Sequence, residues 1–405
     1  MDLFGHEPTQ PPPQEVRAKE GARLFQTIRH QETAVRAMRG AWIRGKMPHA
    51  LLLWGPQGVG KMRSAQALAQ LLMCRRQPTP REVQTASGRS DGADGPCGAC
   101  TSCKRVARFT HPDLIVVLPA TRSTPGDKVH RALADYGQDL YHCLRTSANA
   151  SIGIEQIRDL KVESSKARVE KGNRVVIIRD AERMTQEAAQ AALKLIEEPL
   201  AGTYLVLTCR DPHQLLPTIL SRCRAIRFRP LPREFVEQVI RERSQSDGVD
   251  CELDDAGLRV VARLAEGSLG RALSMLEDEV LALREWAVKF FKADLRTPAE
   301  VSARVRSLGR TWNLERAKAA VDLEMMWLED LLLLSQGLPQ DRITHLDRLA
   351  ELQQQVRTVS VSEIKRRGLI LEEMLQAIGQ NVNLTLATET ALLRLNRLVG
   401  ERDLF

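Results

Sequence analysis

A glycine-rich loop that ends in a lysine carries the clearest chemical signal in this sequence. Residues 55–61, GPQGVGK, match the pattern G-x-x-x-x-G-K between an apolar run and a helical pattern. In that context backbone N–H groups curl round a phosphate, and the start of the helix adds the positive end of its dipole. We therefore predict that ATP or ADP binds here. The predicted contact residues are Gly55, Gly58, Val59, Gly60, Lys61 and Met62.

The residues that normally hold magnesium beside such a loop are replaced. A Ser or Thr hydroxyl should follow Lys61, but Met62 stands there, and a thioether is a poor ligand for a hard cation. A second contact normally comes from an Asp after a later apolar strand, yet Arg179 follows the matching residues 175–178. Because phosphoryl transfer depends on that ion, we expect no magnesium site and absent or very slow hydrolysis. The loop amides and Lys61 could still bind a nucleotide that is not hydrolysed.

Cysteines provide the second chemical signal. Cys97, Cys100 and Cys103 follow the pattern C-x-x-C-x-x-C, a spacing that suits tetrahedral zinc. Cys74, on the far side of a polar segment, is the best candidate for the fourth ligand, and His111 is a weaker one. Four thiolates leave no open position for water, so we predict a structural zinc ion.

Bulk composition sets the remaining limits. The chain has 405 residues, of which 43% are hydrophobic, so we expect two or three domains. Its formal net charge of +8 suits a partner such as nucleic acid, but only 4% of residues are aromatic, which argues against recognition by base stacking. We see no apolar run that would span a bilayer and no signal peptide, and we therefore expect a cytoplasmic protein without membrane contact.

Strand and helix patterns alternate in the first part of the chain. Apolar runs predict strands at residues 50–54, 114–118, 174–178, 205–207 and 225–228. A helix is predicted over about 22–45 and another over 186–198. Alternation of this kind implies a parallel α/β sheet sandwiched by helices, whereas only helices follow residue 230. The predicted domains are a disordered tail (1–20), a nucleotide-binding-like domain (21–230) with an inserted zinc module (74–103), a helical lid (231–282) and a helical C-terminal domain (283–405).

A family resemblance rests on several motifs that occur in a fixed order. After the loop and the cysteines come HPD at 111–113, IEQIR at 154–158, ALKLIEEP at 192–199 and LSRC at 220–223. This order resembles the clamp-loader ATPases of bacterial DNA polymerase III, in the AAA+ superfamily, strongly over about residues 24–228. The resemblance implies an AAA+ sheet domain followed by an all-α lid and an all-α collar domain.

The resemblance also implies roles and partners. In this family the gamma/tau kind of subunit keeps an Asp-Glu pair where this chain has Arg179 and Asp180, while the delta-prime kind commonly has a degenerate motif, as here. The arginine of the S-R-C motif, Arg222, is then expected to act in trans on a neighbouring subunit's nucleotide. The implied partners are gamma/tau and delta subunits in a hetero-pentamer, the sliding clamp, and primed DNA reached through the complex.

Two other interpretations remain open at this point. The chain is an active ATPase of the gamma/tau kind if Lys61 and its loop support hydrolysis despite Met62. Alternatively, it is a zinc-containing nucleic-acid-binding module with a vestigial nucleotide site.

Overall fold

The computed structural model describes eleven segments of the chain. They are residues 24–76, 95–121, 126–139, 144, 150–170, 172–245, 255–277, 280–309, 312–339, 342–379 and 382–398. The predicted disordered tail at 1–20 and most of the segment between Cys74 and Cys97 lie outside this part. Among the helices that the structure describes, none combines the length and apolarity that a membrane crossing requires.

The chain divides into two compact units, residues 1–250 with 266–274, and residues 251–265 with 275–405. The first unit holds a five-stranded parallel sheet in the order β2-β3-β4-β1-β5. Its strands are β1 Ala50–Trp54, β2 Leu114–Val117, β3 Arg174–Ile178, β4 Thr203–Cys209 and β5 Arg224–Arg227. The predicted parallel α/β sheet is confirmed. The finer division into a lid and a collar domain stays a prediction.

Of the helices that the structure describes wholly within the first unit, one precedes β1, six lie between the strands along the chain, and one follows β5. They are α1 Glu32–Ile43, α2 Lys61–Met73, α3 Thr101–Ala107, α4 Gly126–Gln138, α5 Ile154–Ser165, α6 Gln186–Glu197, α7 Pro217–Leu220 and α8 Arg233–Ser244. Apolar residues of α5, α6 and α7 pack on one face of the sheet and form a single buried cluster with it.

The helix predicted over about 22–45 is wrong in its first half. Residues Leu24–Thr27 form a separate turn of 3-10 helix, and α1 begins only at Glu32. His30 between them has a left-handed backbone with φ of 60°. The Gln31 side chain donates to the carbonyl of Arg229 at 2.7 Å and accepts from its N–H at 3.2 Å. This tertiary contact fixes the chain where the apolar pattern alone favoured a continuous helix.

Helix α2 is buried along its whole length, including its polar residues. Gln66 donates to the carbonyl of Ala107 at 2.8 Å, and Gln70 accepts from the N–H of Leu24 at 3.0 Å. Arg63 donates to the carbonyl of Asp139 at 2.9 Å. Buried polar groups need such partners, so these bonds position the helix that joins the glycine-rich loop to the cysteines.

The second unit is helical. Its helices are α9 Asp255–Leu264, the end of α10 Leu269–Glu277, α11 Val280–Phe291, α12 Pro298–Arg306, α13 Leu314–Ser335, α14 Leu349–Val356, α15 Val361–Gly379 and α16 Leu384–Leu395. They share one apolar core in which Phe290 and Trp327 are buried. Asp330 and His345 form a fully buried pair with 2.7 Å between Oδ2 and Nδ1.

A buried ion pair fastens the start of the sheet to the segment after α5. Arg174 donates to Asp113 at 2.9 Å, with the two residues 4% and 1% exposed. Arg174 also donates to the carbonyl of Ser164 at 2.7 Å, which satisfies the end of α5. Burial raises the pKa of the Asp113 carboxyl, but hydrogen bonds from the N–H groups of Glu170 and Val169 and from Arg174 outweigh it, and the net pKa is lowered.

Asp113→Asn should lower the free energy of unfolding by about 3 kcal/mol, because it leaves the Arg174 charge buried without its partner. The folded-state pKa of Asp113 is depressed, so its contribution is present above the unfolded-state pKa and is lost as pH falls through the folded-state pKa. Urea unfolding of both proteins between pH 7 and pH 3 measures this. The exposed Asp159→Asn, on α5, is the control, and a difference that does not shrink with falling pH would contradict the assignment.

Candidate functional site

The glycine-rich loop joins β1 to α2 and depends on backbone that other residues rarely adopt. Gly55, Gly58 and Gly60 have φ values of 142°, 72° and 97°. A Cβ at Gly58 would lie 2.7 Å from the amide nitrogen of Gly270, and the Gly58 carbonyl accepts that N–H at 3.2 Å. Glycine is therefore required both for the turn and for the close approach.

Lys61 is folded back under this loop. Its Nζ donates to the carbonyls of Gly55 at 2.6 Å and Pro56 at 2.5 Å. Burial lowers the pKa of Lys61 to about 8, although the carboxylates of Asp180 and Glu182 oppose this by favouring the charged form. The structure thus brings the predicted phosphate-binding lysine into the field of two carboxylates from the segment after β3.

The two replaced magnesium positions are both buried. Met62 is 8% exposed on α2 and Arg179 is 8% exposed after β3. Arg179 donates to the carbonyl of Leu144 at 2.6 Å and lies 3.4 Å from the Asp180 carboxylate. The Arg179 guanidinium is therefore held by protein oxygens, and it adds positive charge where a metal-binding carboxylate normally adds negative charge.

Asp180 and Thr208 connect the ends of β3 and β4. Asp180 has a left-handed backbone with φ of 51°, and its N–H donates to Thr208 Oγ1 at 3.1 Å. Thr208 is 2% exposed. Its hydroxyl therefore supports the turn after β3.

Glu182 is a residue that the sequence analysis missed. Burial raises the pKa of its carboxyl, and Oε1 accepts from the N–H of Arg210 at 3.0 Å. Oε2 has no hydrogen-bond partner among the described residues. Position alone did not distinguish Glu182 from a surface charge, because its proximity to Lys61 arises from strand order and not from spacing along the chain.

Arg222 is held in the turn between α7 and β5, and two motifs that are separate in sequence meet there. Its Nε forms an ion pair with Oε1 of Glu197, the last residue of α6, at 2.6 Å. Its Nη1 donates to the carbonyl of Thr218 at 3.0 Å and to Ser221 Oγ at 3.2 Å. No partner of Nη2 is recorded in the part of the chain that the structure describes.

This arrangement of Arg222 serves geometry more than stability. The side chains of Arg222 and Glu197 are 39% and 40% exposed, and exposed ion pairs contribute at most about 1 kcal/mol. A guanidinium carries five N–H donors in a fixed plane. The three contacts engage Nε and Nη1, so the donors of Nη2 are the ones that could meet an anion from outside the unit. Spacing along the chain gave no sign of the contact between Glu197 and Arg222.

The four predicted cysteines converge at the end of α2 and the start of α3. Their Sγ atoms, from Cys74, Cys97, Cys100 and Cys103, all lie within 4.8 Å of one another, and those of Cys97 and Cys103 are 3.9 Å apart. Zn–S bonds of about 2.3 Å in a tetrahedron place two sulfurs roughly 3.8 Å apart, so the cluster has the dimensions of such a site.

Hydrogen bonds already favour negative charge in this cluster. The N–H groups of Cys97, Cys100 and Cys103 donate to the sulfurs of Cys74, Cys97 and Cys100 at 3.3, 3.3 and 3.4 Å. Hydrogen bonding with the Cys103 thiol lowers the pKa of Cys74 to about 5, whereas the same bond, together with burial, raises the pKa of Cys103. The cluster can therefore hold a metal ion.

His111 lies beside the cluster but is engaged elsewhere. Its Nδ1 accepts from the N–H of Asp113 at 3.1 Å, so Nε2 carries the proton and donates to Glu170 at 3.1 Å. Burial lowers the pKa of His111, and the neighbouring carboxylates oppose this only in part. Glu170 also accepts from Arg75 at 2.6 Å and from Arg105 at 2.7 Å. This network attaches the cysteine cluster to the sheet domain.

Comparison with known proteins places these features in a family. The profile of the family described as "DNA polymerase III, delta subunit" matches residues 30–232, half of the 405-residue chain. This chain belongs to the DNA polymerase III delta-subunit family. The Bacillus subtilis DNA polymerase III subunit delta' is 24% identical over 342 residues, which cover 84% of this chain and 88% of the relative. The Pseudomonas aeruginosa subunit delta' is 33% identical over 180 residues, covering 44% of this chain and 43% of the relative.

Related proteins outside the delta-prime kind are also similar to this member of the delta-subunit family. The Mycobacterium tuberculosis DNA polymerase III subunit gamma/tau is 29% identical over 260 residues, or 64% of this chain and 37% of the relative. A solved gamma subunit-related protein from Thermotoga maritima has 17% identity and a TM-score of 0.38, and the match covers 89% of this chain and 99% of that one. Structural similarity at this level supports no further conclusion.

Cys74→Ser should weaken metal binding far more than His111→Gln. Loss of a ligand costs more than the roughly 10–100-fold typical of an outer-shell partner, whereas the hydrogen bonds of His111 are with Asp113 and Glu170. Co²⁺ absorption reports the number of thiolates bound, and competition with a chromophoric chelator gives the affinity. Cys223→Ser is the control, since Cys223 is a free cysteine outside the cluster. Equal losses in Cys74→Ser and His111→Gln would refute the four-thiolate set.

Proposed function

We propose that this chain is a delta-prime-type clamp-loader subunit that lacks its own ATP hydrolysis and supplies Arg222 to the nucleotide site of a neighbouring ATPase subunit. The observation that carries this proposal is the fixation of Arg222 by Glu197 and Thr218, while Nη2 has no partner among the described residues. Lys61 already supplies the cation at the chain's own glycine-rich loop. We therefore assign Arg222 to the nucleotide of a neighbouring subunit.

The chemistry of phosphoryl transfer explains why such an arginine would be useful. Negative charge spreads over the transferring phosphoryl group, and a permanently charged, planar donor stabilises it. Donors that are already oriented need no reorganisation at the moment of reaction. In this proposal Arg222 is the catalytic residue, and Glu197 is a positioning residue that acts through it.

The chain's own loop would hold ATP or ADP without a magnesium ion. The loop conformation and the position of Lys61 support phosphate binding. Met62 offers no oxygen to a cation, and the charge of Arg179 disfavours one. The active gamma/tau-type alternative keeps one supporting observation, the two carboxylates of Asp180 and Glu182 near Lys61. The magnesium dependence of nucleotide binding separates the two alternatives.

The partners follow from this role. Gamma/tau and delta subunits would complete a hetero-pentamer, which acts on the sliding clamp and on primed DNA in the cytoplasm. The ion in the cysteine cluster would be structural zinc, since four sulfur ligands leave no position for water or substrate. The nucleic-acid-module alternative would instead require tight DNA binding by the isolated chain that is lost with the cluster.

Arg222→Ala in the reconstituted complex should lower ATP turnover while assembly stays intact. An arginine finger contributes about 10³-fold or more to kcat at the nucleotide site it contacts. Total ATP turnover should therefore fall by the fraction that this one site contributes. Steady-state hydrolysis with clamp and primed DNA measures turnover, and size-exclusion chromatography measures assembly.

Two further variants sharpen this experiment. Glu197→Gln should give an intermediate loss, because a neutral acceptor still bonds Nε of Arg222 but orients it less strongly. Arg158→Ala, an exposed arginine paired with Glu155 on α5, is the matched control and should leave turnover unchanged. If Arg222→Ala equals the wild type, the trans-acting role is wrong.

Nucleotide affinity of the isolated chain should not depend on magnesium. Titration with fluorescent ADP should give the same Kd in Mg²⁺ and in EDTA, and Lys61→Ala should lose binding because it removes the charge under the loop. The double variant Met62→Thr with Arg179→Asp should gain a magnesium dependence. Tighter binding of the wild type in Mg²⁺, with hydrolysis lost in Lys61→Ala, would favour the gamma/tau-type alternative.

A further inference from the structure

An open groove runs along the edge of the sheet in the first unit, between α1 and β5. Its volume is 550 Å³. Among the described strands β5 has β1 as its one neighbour. The opposite side of β5 is therefore a free strand edge, which presents backbone groups able to pair with another extended chain. We call this cavity the edge groove.

The backbone of β5 is suitably oriented for such pairing. Phe228 N–H donates to the carbonyl of Trp54 in β1 at 2.7 Å. N–H groups in a strand alternate in direction, so those of Arg224 and Ile226 also point toward β1. The N–H groups of Ala225 and Arg227 point to the opposite side, into the edge groove.

The floor of the edge groove is made of small and apolar side chains. Ala34, Ala37 and Ala41 of α1 lie on the helix side, and Leu51 and Ile226 lie on the sheet side. Small residues at this helical spacing leave room beside the strand for side chains of an added segment. No Phe, Tyr or Trp is among the described residues that line the groove, and the ring of its one histidine, His30, lies against that of Phe235, which disfavours stacking of nucleic acid bases.

The rim of the edge groove is basic and largely without counter-charge. Arg44, Lys46, Arg224 and Arg229 are exposed, and no ion pair of theirs is found among the residues that the structure describes. Glu32 is the one acidic side chain among the described lining residues, and it already accepts from the N–H of His30 at 3.2 Å. Unpaired charges of one sign along a cleft attract a partner of the other sign.

We propose that the edge groove binds an extended, acidic segment of a partner protein, which adds to β5 as a sixth strand. Main-chain hydrogen bonds to Ala225 and Arg227 give the affinity. Apolar side chains of the segment face the alanine floor, and acidic ones meet the basic rim. This mode of recognition is strand addition, and it is independent of the role proposed for Arg222.

A labelled eight-residue peptide of alternating glutamate and valine tests the proposal with the full chain. It should bind, and its affinity should fall with salt, whereas a peptide with lysine in place of glutamate should not bind. The double variant Arg44→Glu with Arg224→Glu should weaken binding at least tenfold. Arg158→Glu on α5 reverses a charge outside the groove and should leave the affinity unchanged.

A backbone test separates strand addition from simple charge attraction. Ala225→Pro removes an N–H that points into the groove while keeping the bonds to β1, and proline is tolerated on strand edges. It should weaken peptide binding at least tenfold, with an unchanged circular dichroism spectrum. In the wild type, amide exchange of Ala225 and Arg227 should slow when the peptide binds.

Several results would overturn the proposal. Absence of peptide binding, or binding that neither Ala225→Pro nor the charge reversals change, excludes strand addition here. Displacement of the peptide by oligothymidylate that binds more tightly assigns the groove to nucleic acid instead. A tenfold gain in peptide affinity on deleting residues 1–20 makes the chain's own tail the occupant.

Discussion

The burial of helix α2 is the constraint on which both candidate sites depend. Lys61 begins this helix under the glycine-rich loop, and Cys74 follows its last residue in the cysteine cluster. At 1.5 Å per residue its 13 residues span about 20 Å. Because buried polar side chains along the helix are bonded to the surrounding backbone, neither end can move without breaking bonds that water does not replace. The loop and the cluster are thus two ends of one rigid element.

Electrostatics at the loop follow from the same packing. Burial lowers the pKa of Lys61, and the carboxylates of Asp180 and Glu182 partly offset this effect. Arg179 is buried next to Asp180 and bonded to a carbonyl. The local charges are therefore balanced largely within the protein, and little negative charge is left over to attract a divalent cation. In the proposed function, this balance of charge allows the loop to bind a phosphate but not to catalyse phosphoryl transfer.

Contiguous patterns were predictable from the sequence, and contacts between distant segments were not. The strands β1 and β3 were predicted at their observed bounds because their apolar runs end sharply, while β4 is longer than predicted because Thr203 and Cys209 pair with Arg174 and Trp54 despite interrupting the apolar pattern. The cysteine cluster was predictable from the C-x-x-C-x-x-C spacing of its residues. The contact of Glu197 with Arg222 was not, since it joins the end of one helix to a turn that follows another strand.

The pairing of Glu197 with Arg222 also limits the distance over which the positive charge of this arginine acts on other molecules. Seen from beyond the roughly 8–10 Å Debye length of physiological salt, the two opposite charges cancel and leave only a weak local dipole. A nucleotide approaching from solution is therefore neither drawn in nor repelled at long range. In the role proposed for Arg222, only a phosphate that a closely fitting neighbouring subunit brings within hydrogen-bonding distance would meet Nη2 of the guanidinium. Selectivity there would then depend on shape and contact, and free nucleotides would compete poorly.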